Sequence, residues 1–236
     1  MVLPQLTIYS ARICPWAQRA TLALREVGAY DNKQVEHVEI DLQNKPEWYA
    51  SKVNPASKVP VISVGKEGDA NQVNIPESGV LLELVADLFP DSGLNPADPV
   101  QRAEARYFAQ RFTDVVTSAW YQVTMQGKPE AGAALLEGVA EVQSLLNRHK
   151  GTFLLGDKLS IGDLAVAPFV GRIFTLGKAG LIPDETFSKL ASDSKFEPIR
   201  AYHDALTSRP SWKDTFDDEY IVEKMKARIE ANKAQQ

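Results

Sequence analysis

The spacing of apolar residues changes once along this chain, near residue 90, and that change restricts the fold more than any other feature. The first ninety residues alternate strand-like and helical runs. Leu6 to Tyr9 (Leu-Thr-Ile-Tyr) is rich in β-formers. From Ala17 to Val27, the residues Ala20, Leu22, Ala23, Leu24 and Val27 recur at helical spacing, and Gly28 supplies a stop. Residues 35–40 (Val-Glu-His-Val-Glu-Ile) alternate with period two, and Pro46 opens a short helix through Lys52. Val59 to Val64 and Gln72 to Ile75 read as two strands about a Gly65–Gly68 turn, followed by a helix from Ser78 to Leu88. The order β-α-β-α-β-β-α calls for a mixed sheet with helices on its faces.

Residues 89–99 carry three prolines and a glycine in eleven positions, the composition of a linker. Beyond Pro99 the signals are almost wholly helical, in candidate segments 100–125, 130–149, 161–177, 196–207 and 219–232. The reading is an α/β domain over residues 1–89, a linker over 90–98 and an all-α domain over 99–236.

At 236 residues, 44% of them hydrophobic and 24% charged, the chain has the make-up of an ordinary globular protein. It should bury roughly 70% of its unfolded surface, enough to fold without staples. Cys14 is the single cysteine, which excludes an intramolecular disulfide and any multi-cysteine zinc or iron–sulfur centre. Net charge is −5, with the 26 basic residues interspersed among 31 acids, so no nucleic-acid footprint is expected. The longest apolar run, residues 164–170, falls far short of the ~20 residues that span a bilayer. The opening residues lack the basic and long apolar stretches of a leader, and the expected compartment is the cytoplasm.

Cys14 lies between the first strand and the first helix, in Ile13-Cys-Pro-Trp-Ala-Gln-Arg19. Proline is favoured at the first position of a helix, so Pro15 makes Cys14 the N-cap residue. Its sulfur then faces unpaired amides and the positive end of the helix dipole, which stabilise a thiolate, and Arg12 and Arg19 add positive charge. Free cysteines are often inert, small and buried; the loop-to-helix position favours a reactive one. Position 17 is alanine, so Cys14 has no C-x-x-C partner to resolve a mixed disulfide, and a redox cycle would need an external thiol.

Three further features belong to this half. Pro60, after Lys58 and Val59, starts a strand and permits a cis bond, although a trans edge proline is the commoner case. In Pro76-Glu77-Ser78, Ser78 reads as an N-cap whose hydroxyl, with the first-turn amides, forms a site for a carboxylate. Capping alone accounts for Ser78 but not for Glu77, and an acid beside an anion site suits a zwitterion whose ammonium Glu77 holds. Lys45, in Asn44-Lys-Pro-Glu-Trp48, reads by itself as a solvated charge.

Cys-Pro-Trp-Ala at 14–17, Asn-Lys-Pro-Glu-Trp at 44–48, Lys-Val-Pro-Val at 58–61 and Pro-Glu-Ser at 76–78, in that order, resemble the cytosolic glutathione transferases, specifically the omega class. The resemblance covers nearly the whole chain and extends to the fungal members of the class. Ser160-Ile-Gly-Asp163 looks like the family's N-capping box, a structural device in which Asp163 reaches back to the N-cap amide.

The resemblance implies a thioredoxin-like N-terminal domain that binds glutathione, with Pro60 cis, followed by an all-helical domain. It implies that the Val59 backbone pairs with the cysteinyl part of glutathione, within Lys58-Val59-Pro60. Glu77 and Ser78 would hold the γ-glutamyl end, Lys45 the glycyl carboxylate, and Trp16 would lie close to the tripeptide. A cysteine at position 14 marks omega and implies thiol transfer and reduction: removal of glutathione from mixed disulfides, reduction of glutathionyl ketones, and reduction of dehydroascorbate. It also implies a homodimer and no metal. The acceptor would occupy a cleft lined from Tyr107, Arg111, Trp120, Tyr121, Phe169, Arg172 and Phe174, an aromatic set suited to flat hydrophobic compounds. Aromatic residues at helical spacing are more often core than pocket.

Two rival readings use the same residues. A non-catalytic ligandin would bind aromatic compounds such as polyphenols and leave Cys14 incidental. A scaffold would retain the fold alone, but it has no need of the Lys45, Val59, Glu77 and Ser78 set. A hydrolase reading fails because His37, His149 and His203 belong to no recognisable triad or metal spacing. There is no G-x-G-x-x-G loop.

Overall fold

The computed structural model describes residues 3–66 and 68–233; Glu67, in the expected Gly65–Gly68 turn, lies outside them, as do residues 1–2 and 234–236. The chain divides into two compact units, residues 1–95 and 96–236.

The first unit holds strands β1 (Leu6–Ser10), β2 (Val35–Glu39), β3 (Val61–Val64) and β4 (Val73–Pro76) in the order β2-β1-β3-β4. β1 and β2 are parallel, with Leu6 opposite Val35, and α1 (Pro15–Glu26) makes the crossover between them. The β1–β3 and β3–β4 pairs are antiparallel. Leu6, Ile8 and Ser10 of β1 are buried, while Tyr9 turns to a second cluster of Ile40, Tyr49, Val53 and Val61. Helix α1 packs on α3 (Ser78–Leu88), burying Ala20, Ala23 and Leu24 along with Leu81, Leu82 and Val85. Gly28, at φ 71°, turns the chain out of α1. The short helix α2 (Glu47–Lys52) has Pro46 as its N-cap.

Two boundaries differ from the sequence reading. The expected 59–64 strand pairs only from Val61, because Pro60 has no N–H to give to a ladder. The N-cap of α3 is Glu77, not Ser78: Glu77, at φ 74° and ψ 110°, stands outside the helix and Ser78 is its first residue.

In the second unit Asp98 caps α4 (Pro99–Phe112), accepting from the Val100 amide at 2.8 Å. The single helix expected over 100–125 is interrupted. After α4 come five residues of π-helix, Thr113–Thr117, before α5 (Ser118–Met125). Helix α6 (Gly132–Leu146) runs past this turn, and α7 (Ile161–Lys178) is buried almost throughout. Around α7 pack α4, α8 (Asp184–Ser192), α9 (Glu197–Thr207) and α11 (Asp218–Lys233), with α10 (Pro210–Thr215) against α9. Helices α8 and α10 fall between the candidate segments of the sequence; both are short, and α10 has only six residues in which to show a period.

The buried carboxylate of Asp163 organises the start of α7. It accepts from the amides of Leu154 and Ser160 and from the hydroxyls of Ser160 and Tyr202, at 2.7 to 2.9 Å. Ser160 and Asp163 thus form a capping box. Burial raises the Asp163 carboxyl above its ordinary range, against the pull of those four bonds. Among the described residues no helix is long and apolar enough to cross a membrane.

Candidate active site

Strand register gathers the motifs of the first unit at one end of its sheet. Val61 opens β3 and is opposite both Tyr9 near the end of β1 and Pro76 at the end of β4. The chain therefore delivers the Cys14 loop from β1, Val59–Pro60 into β3, and Glu77–Ser78 out of β4, all from that same edge.

Cys14 is the N-cap of α1, in extended conformation, with Pro15 at the first helical position. Its own amide donates to the Ala11 carbonyl at 2.8 Å and its carbonyl accepts from Gln18, so the loop is tied on both sides of the thiol. Cys14 is partly exposed. It caps no amide, and it stands where the helix dipole favours negative charge.

Arg19, five residues further on, is only 6% exposed. Its guanidinium lies 4.4 Å from the centre of the Trp16 ring, a cation–π arrangement. Its Nη1 donates to Ser78 Oγ at 3.3 Å, joining α1 to the start of α3. Burial lowers the guanidinium to about 10, and the charge of Cys14 opposes that shift, so Arg19 is a cation at neutral pH. The sequence singles out Arg19 only as added positive charge near Cys14; its bond to Ser78, 59 residues away, is a tertiary fact.

Glu77 is exposed, and its positive φ is strained for a residue with a side chain, by about 1 to 3 kcal/mol. Ser78 is buried. At the start of an eleven-residue helix the first amides have no partner within the helix, which leaves donors for an anion.

The Val59–Pro60 peptide bond is cis. The loop before it is clamped: the carbonyl of Lys58 accepts from Tyr49 Oη and from Asn54 Nδ2, each at 2.9 Å. Lys45 Nζ donates to the Ser57 carbonyl at 2.5 Å, which places Lys45 against this loop. An ammonium has three donors, so two remain for a carboxylate.

The residues expected to line the acceptor cleft are in the second unit, in differing settings. Tyr107 and Tyr121 are 50% and 45% exposed. Arg111 is tied to Glu141, 2.6 Å away, and faces Asp114 at 3.6 Å. Trp120 and Phe169 are buried, their rings 5.9 Å apart, and Phe112 lies 6.2 Å from Phe169. Phe174 is buried against His203, at 4.4 Å, and Phe187. Arg172 is 1% exposed, with Nη1 on the Pro168 carbonyl at 2.9 Å. Helical spacing alone does not separate the interior rings from the exposed ones.

Comparison with known proteins is consistent with this geometry. Residues 8–93 match the glutathione S-transferase N-terminal domain, and residues 119–205 match the corresponding C-terminal domain. The chain is 30% identical, over 86% of its length and 77% of the relative's, to a probable glutathione transferase omega-2 of Caenorhabditis briggsae. Glutathione transferase Omega 1C from Trametes versicolor is 37% identical with a TM-score of 0.88, covering 97% of this chain and 98% of that one. Omega 2S from the same fungus, solved in complex with 2,4-dihydroxybenzophenone, is 32% identical with a TM-score of 0.85, covering 94% and 98%.

Proposed function

The chain belongs to the omega class of glutathione transferases, and we propose that within this class it is a thiol transferase whose nucleophile is Cys14. The observation that carries the reading is the position of Cys14: a partly exposed N-cap residue at the positive end of α1.

Glutathione binds along the sheet end. Glu77 takes its α-ammonium, and Ser78 with the first amides of α3 takes the γ-glutamyl carboxylate. The Val59 backbone pairs with the cysteinyl residue, held there by the clamped Lys58 carbonyl and Pro60. Lys45 reaches the glycyl carboxylate, and Trp16 flanks the tripeptide.

With a glutathionyl mixed disulfide, the Cys14 thiolate attacks the glutathione sulfur. The S–S bond breaks, the acceptor leaves as a thiolate and takes a proton from water, and Cys14 carries glutathione as a mixed disulfide. A second glutathione thiolate attacks the glutathionyl sulfur, releasing glutathione disulfide and the Cys14 thiolate. With a glutathionyl ketone, Cys14 attacks the thioether sulfur. The C–S bond breaks toward the carbon α to the carbonyl, which is protonated, and the second half of the cycle is unchanged. Dehydroascorbate reduction draws the same two electrons from two glutathiones. We place this chemistry in the cytoplasm, on a homodimer, with Tyr107 and Tyr121 as the exposed aromatic residues offered to an acceptor.

A single-turnover experiment tests this directly. Reduced protein mixed with a glutathionyl disulfide should gain one glutathionyl group on the Cys14 peptide, and excess glutathione should remove it. Protein that stays unmodified while it binds glutathione contradicts the proposal.

One observation favours a second reading: the Trametes Omega 2S relative was solved with 2,4-dihydroxybenzophenone. Under that reading the chain carries aromatic compounds without turnover. Such a ligandin needs no reactive thiol, so an unreactive Cys14 beside tight binding of a hydroxybenzophenone would favour it.

A further inference from the structure

Arg19 poses a question that glutathione binding does not answer: why a guanidinium is buried at the junction of α1 and α3. A buried cation costs several kcal/mol unless its environment compensates for it. Two of the groups that compensate it come from different helices. The Trp16 ring covers one face of the guanidinium at 4.4 Å, and Ser78 Oγ accepts from Nη1 at 3.3 Å. Trp16 belongs to the first turn of α1, and Ser78 begins α3. The guanidinium therefore ties the helix that follows Cys14 to the residue that would hold the γ-glutamyl end of the tripeptide.

The hydrogen-bond inventory of Ser78 sharpens this. A serine hydroxyl has one proton to donate and two lone pairs. When Arg19 supplies a proton to one lone pair, the Ser78 hydroxyl proton is left for another acceptor. A carboxylate accepts only, so the arrangement presets Ser78 as a donor to a carboxylate.

We propose that Arg19 is a positioning residue for the γ-glutamyl end of bound glutathione: its bond to Ser78 Oγ directs the Ser78 hydroxyl proton to the γ-glutamyl carboxylate. This rests on the reading of Ser78 given above. A methionine at 19 would fill similar space but supply neither charge nor donor. A lysine would restore the charge as a point, without the planar fork that Trp16 covers and that reaches Ser78.

The dissociation constant for glutathione, measured by calorimetry on the reduced full-length protein, tests this without turnover. Arg19→Met should weaken glutathione severalfold, and Arg19→Lys should leave it weak. In a Ser78→Ala background Arg19→Met should weaken it no further, a non-additivity that general loosening of the fold would not produce. Full additivity of the two substitutions, or wild-type affinity in folded Arg19→Met, overturns the proposal. If Arg19→Met does not fold, Arg19→Lys decides: wild-type affinity overturns it. A Ser78→Ala protein that binds glutathione as tightly as wild type would instead contradict the reading of Ser78 itself.

Discussion

The hydroxyl of Tyr49 donates to the carbonyl of Lys58 at 2.9 Å, and this bond, with the Asn54 amide on the same oxygen, fixes the backbone that leads into Val59 and Pro60. Tyr49 is fully buried, with its ring edge-on to Tyr9, and burial pushes its phenol well above the ordinary range, so it remains a donor throughout physiological pH. Tyr49→Phe keeps the ring and removes the bond. The loss should cost about 1 kcal/mol in unfolding free energy and weaken glutathione severalfold, while Cys14 alkylation in the absence of glutathione stays at the wild-type rate. Calorimetric affinity together with chemical denaturation checks it; unchanged affinity would mean that the clamp does not serve the glutathione site.

Glu77 has an exposed side chain on a backbone held at φ 74°. Its assigned task is the glutathione ammonium, a charged hydrogen bond of about 1.5 kcal/mol. Glu77→Ala should therefore raise the dissociation constant roughly tenfold, and Glu77→Gln by less. A Glu77→Ala protein that binds glutathione as tightly as wild type would remove Glu77 from the site.

Gly138 on α6 faces the π-turn between α4 and α5. A methyl group there would stand 2.4 Å from the Val115 carbonyl oxygen, a backbone atom that cannot swing aside. Gly138→Ala should destabilise the protein by about 1 to 3 kcal/mol, in spite of alanine's better helix propensity. Thermal and urea unfolding measure it, and a stabilised variant would show that the π-turn yields.

His203 is buried against Phe174 and bonded to Asp204 at 2.9 Å; burial holds its imidazole below the usual value, the Asp204 carboxylate pulling the other way and Lys178 and Asp218 acting at longer range. Over the interval between that lowered value and the reference near 6.5, the unfolded chain binds the proton more readily. His203 therefore contributes stability at neutral pH that is lost as pH falls through that interval. His203→Gln should show a smaller drop in melting temperature from pH 7.5 to pH 5.5 than wild type does. Parallel drops would remove His203 from the pH response.

Much of this was legible from local pattern. The β-α-β-α-β-β-α order follows from period alone, and Pro15 marks Cys14 as the N-cap of α1. What local pattern misses is settled by distant neighbours. Ser78 reads as a cap until Glu77 adopts a positive φ and Ser78 Oγ accepts from Arg19. The π-turn at 113–117 leaves no mark in its own residues; its counterpart is the missing side chain at Gly138. Tyr107 and Phe169 are equally aromatic and helical, yet one is half exposed and the other is in the core.

The central claim is that the Cys14 sulfur carries the reaction, and a coupled assay with a glutathionyl mixed disulfide, comparing wild type with Cys14→Ala, tests it most directly. Because the chain has no second cysteine, no other thiol can substitute. The account predicts turnover in wild type and its loss in Cys14→Ala, with glutathione still bound. Equal turnover in both, or none in either while glutathione binds, would contradict it.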